Sequence, residues 1–254
     1  MKTGNHKFTI VTYNILDGRN AEKIIQNILG LIQNGASVIC LQEVRQVYRN
    51  IEFTKLLAAR LPAHFNAHYY LEGDARWFDY GLGMLWDTTV FSSAAFHQLP
   101  LPEQSSLTFW DKMFYWVLGL EPKIIKRGAL IGTFIFGQTS IRITNLHLDF
   151  QGGNAHRANQ LKSLTNYLTS TAPEEYEVVC GDFNTLGVFN KKEKIFLLEK
   201  QLGNVFQNVL RQPYTSAIVQ QLDYIFVKNL TVHKASVLKL RGSDHYPLRA
   251  NIGT

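Results

Sequence analysis

The sequence predicts an α/β chain, and three observations carry the prediction. Short apolar, β-branched runs such as Phe8-Thr9-Ile10-Val11-Thr12-Tyr13 and Val178-Val179-Cys180 recur along the chain and read as buried strands. Between them lie stretches with apolar residues at helical spacing, such as Ile24, Ile25, Ile28, Leu29 and Ile32, then Leu161, Leu164 and Leu168. A hydrophobic content of 46% with only 18% charged residues over 254 residues fits a globular chain with a sizeable core. Strands interleaved with helices, many of the strands antiparallel neighbours, define the class.

Taken in order, the strand at 8–13 delivers Asn14, and Asp17-Gly18 reads as a turn. The helix of 20–33 closes at Gly35. Ser37-Val38-Ile39-Cys40-Leu41 is a second buried strand carrying Gln42 and Glu43. Residues 47–60 read as a helix stopped by Leu61-Pro62. Short strands and turns follow over 64–98. Within them Gly81-Leu82-Gly83-Met84-Leu85-Trp86 predicts a central strand whose glycines allow close backbone approach. Leu99-Pro100-Leu101-Pro102 breaks the preceding strand, and Ser105-Ser106 offers a helix cap. Residues 107–118 then predict a helix with Trp110, Met113, Phe114 and Val117 on one face, leaving Phe109 and Trp116 outside it. That helix is too short to span a bilayer. It is either packed on the body through its apolar face, or a lid or membrane-touching element beside the active-site mouth. A hairpin across Gly137-Gln138 joins strands at 128–136 and 139–146 and ends at His147. A loop at 151–154 precedes a helix at 155–170, and the 178–180 strand turns outward at Gly181. Lys191 to Leu202 reads as a helix, and 222–227, 231–240 and 246–252 as the last strands.

Polar residues close several of these apolar runs. In Gly181-Asp182-Phe183-Asn184, an Asp can take a proton from water or hold a cation. An Asn two residues on can donate to a phosphate oxygen without adding negative charge. The same tetrapeptide is also an ordinary turn. Five further blocks decide between the readings: Thr12-Tyr13-Asn14-Ile15, Leu41-Gln42-Glu43-Val44, Asn145-Leu146-His147-Leu148, Leu222-Asp223-Tyr224-Ile225 and Ser243-Asp244-His245-Tyr246-Pro247. In this order, over about residues 8–252, they resemble the endonuclease/exonuclease/phosphatase superfamily. The resemblance implies a DNase I-like four-layer sandwich, two face-to-face mixed β-sheets flanked by helices. It also implies a single domain over 1–254, with an apolar aromatic insert at about 99–122.

Phosphoester hydrolysis must bring water to a phosphorus shielded by negative oxygens and stabilise a departing alkoxide, which a hard divalent cation assists. Glu43, directly after so apolar a run, is the foremost metal-ligand candidate; its plain alternative is a surface Glu opening the next helix. What the resemblance implies is Mg²⁺ (or Mn²⁺) held by Glu43, with Asn14 helping through its carboxamide and Asp244 from the opposite side. It further implies that Asp182 orients or deprotonates the attacking water, and that Asn184 and His147 hold the phosphate oxygens. The resemblance also implies that His245, backed by Asp223, stabilises the transition-state charge, and it leaves open whether Asp182 or His245 is the base. It implies, too, an acid near residue 79 that orients the site histidine, so Asp79 is a candidate partner of His147, with an exposed loop Asp as its plain alternative. His147 stands where the abasic-site endonuclease branch has a Tyr, so the match leans to the DNase I, sphingomyelinase and deadenylase side. Arg157, Lys126 and Arg127 are either substrate contacts or solvated-face charges, and the second is the expected reading. His6, His64, His68, His97, His156 and His233 read as structural or surface residues.

A net charge of +6 and a sequence pI near 9.2 suit a polyanionic partner, whether nucleic acid or an anionic lipid surface. What the resemblance implies is a Mg²⁺-dependent phosphodiesterase, with nucleic acid as the expected substrate. The alternative is a phospholipid phosphodiesterase or phosphatase at a membrane, with peripheral contact through 105–120. The rival from another class is a non-catalytic binding module, but no motif position is lost, so an active enzyme is expected. Cys40 and Cys180 lie in core strands and read as buried hydrophobes. With no signal-peptide pattern at Met1–Lys7, a cytoplasmic setting is favoured, secretion after leader removal being the alternative.

Overall fold

In the computed structural model, which describes residues 6–45, 47–48, 51–71, 81–117, 119, 124–172, 174–185, 198–211 and 214–254, the apolar runs assemble into two six-stranded sheets. The first contains β1 (Lys7–Asn14), β2 (Val38–Val44), β5 (Phe65–Leu71), β6 (Gly81–Asp87), β13 (Thr231–Val237) and β14 (Leu248–Gly253), in the order β13-β14-β1-β2-β6-β5. The second contains β7 (Phe91–Pro100), β8 (Gly128–Phe136), β9 (Thr139–His147), β10 (Tyr176–Asp182), β11 (Gln207–Asn208) and β12 (Asp223–Lys228), in the order β11-β12-β10-β9-β8-β7. Each sheet is mixed, with one parallel pair: β1 with β2, and β9 with β10. A parallel pair needs a crossover, and helices supply both. These are α1 (Ala21–Gln33) and α4 (Gly153–Ser170).

The layering follows from side chains alternating along strands buried on both faces. In β2, Val38 and Cys40 face the inter-sheet core with Leu130, Ile143, Val178 and Cys180 of the second sheet. Ile39 and Leu41 face the other way, onto Ile24 and Ile28 of α1. Val179 and Phe226 pack outward onto Leu161, Leu164 and Leu168 of α4. The result is the four-layer sandwich. Both cysteines are free and buried in the central layer.

Several local expectations are corrected. Residues 47–60 are not one helix: β3 (Val47–Tyr48) and β4 (Ile51–Glu52) form a small ribbon, and only α2 (Phe53–Ala58) is helical. β7 runs on to Pro100. The aromatic helix α3 (Phe109–Val117) is capped by Thr108 rather than by Ser105-Ser106. The Thr108 hydroxyl accepts from Asp111 N at 3.2 Å while Asp111 Oδ2 accepts from Thr108 N at 2.8 Å. Gly181 does not end its strand. It pairs in β10, where a Cβ would lie 1.9 Å from the Leu146 carbonyl oxygen, so close approach of β9 demands the glycine. Of the helix expected at 191–202, residues 191–197 lie outside the described residues, and 198–201 are helical.

Buried amides fix how the sheets meet. Gln42 Nε2 donates to Asn145 Oδ1 at 2.6 Å, and Asn145 Nδ2 donates to the carbonyls of Leu41 and Gly83, each at 2.9 Å. These bonds lie one to three residues from the strand ends that carry the site. Asn145→Ala would take the amide donor from two buried carbonyls and one acceptor from Gln42 Nε2, which keeps Thr12 Oγ1 at 2.9 Å, at roughly 1–3 kcal/mol for each carbonyl. Urea denaturation is expected to show a loss of about 3 kcal/mol or more, whereas a loss under about 1 kcal/mol would show that these bonds do not hold the sheets in register.

Candidate active site

The two parallel pairs end at the same edge of the sandwich, and the polar residues that close them meet there. On the first sheet, β2 carries a bulge between Gln42 and Val44, and Glu43 sits in it at φ 57°. Left-handed backbone costs a non-glycine residue about 1–2 kcal/mol, and here it turns the carboxylate out of the alternation and into the cleft. Asn14 lies between the sheets: its Nδ2 donates to Glu43 Oε1 at 3.1 Å and to Asp182 Oδ2 at 3.0 Å, and its Oδ1 accepts from Leu16 N at 3.0 Å. Asp17, in a 3₁₀ turn at Leu16–Gly18, is also left-handed, at φ 58°, and buried.

The electrostatics of this wall are those of crowded carboxylates. Burial raises the Glu43 pKa from 4.5 to about 7, the Asp17 charge adds to the rise, and the Asn14 bond opposes it. Burial raises Asp17 as well, against the pull of Arg45 and Arg19, with Asp244 adding repulsion. Asp17 Oδ1 is buried without a hydrogen-bond partner. Oxygen donors that repel one another in a half-buried site fit a hard divalent cation.

The opposite wall is built of imidazoles. His245 Nδ1 is 2.8 Å from Asp223 Oδ2, and Asp223 is pinned in turn by its backbone N–H to Thr215 Oγ1 at 3.0 Å. Burial opposes the charged ring, but the Asp223 and Asp182 carboxylates outweigh it, and the His245 pKa stands well above its ordinary value. Its Nε2–H then points to Asp182 Oδ2, 3.7 Å away. His147 is held the other way: burial lowers its pKa well below normal, and the Arg127 and His245 charges lower it further. Arg127 Nη1 lies 3.1 Å from His147 Nδ1, and because a guanidinium only donates, Nδ1 accepts. The remaining proton sits on Nε2, which faces Asp182 Oδ2 at 3.6 Å. Burial and the neighbouring Asp223 raise the Asp182 pKa, while His245 opposes the rise. Asn184, at φ 46°, gives one amide hydrogen to Leu148 O at 2.8 Å and keeps a second.

Asp182, Asp223 and His245 have ligand-type atoms within 4.8 Å of one another. That trio is nevertheless a poor cation site, because the imidazolium is cationic itself and its Nδ1 is committed to Asp223. The acidic wall at Glu43 is the better one.

The cleft between the walls has a volume of about 240 Å³ and is bordered by Glu43, His147, Asp182, Asn184, Asp244 and His245. Asn14 and Asp223 stand behind them, so all eight residues singled out in the sequence come together. Asp244 is exposed and His245 buried, so the turn at 243–245 brings both to the same cleft. Asp79 lies outside the described residues. The solvated-face reading fails for two arginines: Arg127 borders the cleft and is buried, and Arg157 is buried against the carbonyls of Asp149 and Phe150. Lys126 is exposed, as expected. Sequence reasoning named Arg127 but set it aside as a surface charge, and it missed Asp17. Neither carries a local signal, since Lys126-Arg127 looks like a basic surface pair and Asp17-Gly18 like any turn.

Such a fold, with acids and imidazoles at the strand ends, is that of a phosphoester hydrolase. The profile of the Endonuclease/Exonuclease/phosphatase family matches residues 11–245, and the chain belongs to that family, whose members are hydrolytic phosphoesterases and generally depend on a divalent metal. YbhP of Escherichia coli (strain K12) is 27% identical over 267 residues, covering 99% of this chain and 98% of that protein. Among solved structures, ANGEL2, a 2′,3′-cyclic phosphatase, superposes with a TM-score of 0.70 at 16% identity, covering 99% of this chain and 96% of that one. The mannosyl-6-phosphatase Bt3783 of Bacteroides thetaiotaomicron VPI-5482 gives 0.70 at 14% identity, with 96% and 99% covered. At these identities the two structures speak for the fold alone.

The raised Glu43 pKa makes a stability prediction. A carboxylate that binds its proton more tightly when folded contributes stability below its unfolded pKa, near 4.5, and that contribution is lost as pH rises through about 7. At pH 8 without divalent metal, Glu43→Gln is therefore expected to stabilise the protein by on the order of 2 kcal/mol. Adding Mg²⁺ should raise Tm for the parent chain more than for the variant. A destabilised metal-free variant would contradict the crowding of this wall.

Proposed function

We propose that the protein is a divalent-metal-dependent phosphodiesterase. The observation that carries this reading is the division of one cleft into an acidic wall, at Glu43 and Asp244, and a donor wall, at His245, His147, Asn184 and Arg127. A cation held by Glu43 and Asp244, with Asp17 alongside, would neutralise phosphate charge and the departing alkoxide when bound. Asn14 positions the carboxylates of Glu43 and Asp182 through its two amide hydrogens. The His245 imidazolium donates from Nε2 to a phosphate oxygen, its tautomer fixed by Asp223. His147 donates from Nε2, its tautomer fixed by Arg127, and Asn184 offers its second amide hydrogen. Asp182 sits between the two imidazoles at 3.6 and 3.7 Å, gaps that a water or a phosphate oxygen bridges, and takes the proton of the attacking water. Water adds to phosphorus, its proton goes to Asp182, and the P–O bond to the leaving group breaks.

For the substrate, the net charge of +6 suits a polyanion, and a nucleic-acid phosphodiester is the first reading. The fold neighbour ANGEL2 acts on a 2′,3′-cyclic phosphate, itself a phosphodiester. A second reading, a membrane phospholipid, is favoured by the apolar lip of Phe150, Ile218 and Leu222 on the same cleft.

Hydrolysis of bis(p-nitrophenyl) phosphate with Mg²⁺ tests the reaction. EDTA should abolish it, and His245→Ala should lower kcat by roughly 10²–10⁴-fold. The imidazolium is present only below its raised pKa, so activity should fall as pH rises through that value. Asp223→Asn removes the anion that raises it, and should shift this alkaline limb to lower pH by roughly one unit or more. Wild-type rates in His245→Ala, or an unmoved limb in Asp223→Asn, would defeat the assignment.

A further inference from the structure

The helix α3 is docked the wrong way round for a globular protein. Its polar side faces the body: Asp111 Oδ2 accepts from Gln104 Nε2 at 3.0 Å and from the Thr108 hydroxyl at 2.7 Å, and Asp111 Oδ1 accepts from Gly152 N at 3.3 Å. Tyr115 is buried, and its hydroxyl meets the Gln151 side chain. The apolar arc points out. Phe109, Met113 and Trp116 follow one another at i, i+4 and i+7, with Trp110 and Val117 beside them, and the four other than Met113 are 67–79% exposed. The face expected to pack through Trp110, Met113 and Val117 is thus the face that the chain presents to solvent. A short helix anchored by hydrogen bonds, with two tryptophans and a phenylalanine outward, is an exposed apolar patch that requires a partner.

We propose that α3 is a membrane-docking element that seats on an anionic phospholipid bilayer beside the cleft mouth. Three observations select a bilayer over a protein groove or a second copy of the chain. The helix stands beside the cleft: Asp111 and Tyr115 bond to Gly152 and Gln151, and the adjoining Phe150 borders the cleft. A second apolar projection stands at the same cleft: Ile218, which borders it, and Val219, each 58% exposed, lie on a loop clamped by Ala217 N to Asp244 O and Tyr246 N to Thr215 O, both 2.7 Å. Val219 is held there at φ 62°, a conformation unfavourable for a β-branched residue. Two separate apolar projections near one opening match a continuous surface better than a groove that grips one helix. Charge agrees: Lys112 on α3 and Lys126 beyond it are exposed, and the chain carries +6, which suits anionic head groups and the interfacial preference of tryptophan. Seated this way, the cleft faces lipid phosphate, a consequence that rests on the phosphodiesterase reading and favours its phospholipid alternative.

The test is co-sedimentation of the full chain with vesicles of phosphatidylglycerol and phosphatidylcholine, against phosphatidylcholine alone. The parent chain should pellet with the anionic vesicles, and Trp110→Ser/Trp116→Ser should weaken binding by at least about tenfold. Ile218→Ser should weaken it less. The double variant should keep its rate on soluble bis(p-nitrophenyl) phosphate, which shows that it is folded. The proposal is overturned if the parent chain stays in the supernatant, or if the double variant binds vesicles as well as the parent. It is also overturned if the tryptophans instead support a dimer or single-stranded DNA binding without vesicle binding. A parent chain that binds vesicles through the tryptophans but hydrolyses no phosphodiester would leave the docking surface standing and defeat the catalytic reading.

Discussion

The site depends on side-chain amides that join two sheets across a closed interior. Asn14 carries a hydrogen bond to Glu43 on one sheet and to Asp182 on the other, and Gln42 and Asn145 repeat the tie one layer deeper. An apolar core is tolerant of small slides, because burial is proportional to area and has no direction. Hydrogen bonds in a dry interior are directional, and each unmade one is expensive. Placing amides at this end of an otherwise apolar inter-sheet layer therefore fixes the approach of the two strand-end clusters. Each cluster alone would hold only half of the cleft.

Within the cleft, opposite kinds of strain are kept apart. The acidic wall gathers Glu43, Asp17 and Asp244, and two of these occupy left-handed backbone. The donor wall gathers His245, His147 and Arg127, with Asp223 and Asp182 holding the His245 ring charged, and burial and Arg127 holding the His147 ring neutral. Asn14 lies on the boundary and suits it, because a neutral amide can touch carboxylates of both walls without adding charge to either. The Glu43 bulge shows the cost directly: regular alternation in β2 would send that side chain elsewhere.

Much of the fold was legible in the sequence because strands buried on both faces leave nearly continuous apolar runs, and a polar residue at the end of such a run stands out. Glu43 after Leu41, His147 after Leu146 and Asp182 after Cys180 are of this kind. Arg127 is not: it precedes its strand beside another basic residue, and only the three-dimensional meeting with His147 reveals it. Asp17 was hidden because an acid before glycine is ordinary turn chemistry. The spacing in 107–118 predicts the helix but leaves Phe109 and Trp116 outside its stripe, whereas both lie on the exposed arc, whose direction is set by Asp111 and Tyr115 bonding to a loop some forty residues on, which periodicity does not contain. The ribbon at β3 and β4 escaped for a similar reason, since its pairing competes with a helical pattern of comparable strength.

The central claim is that a hard cation belongs to the Glu43 wall and that the Asp182–Asp223–His245 trio works without one. Anomalous diffraction from crystals soaked in Mn²⁺ tests it most directly. The account predicts a peak within ligand distance of Glu43. A peak enclosed by Asp182, Asp223 and His245, with none at Glu43, would contradict it.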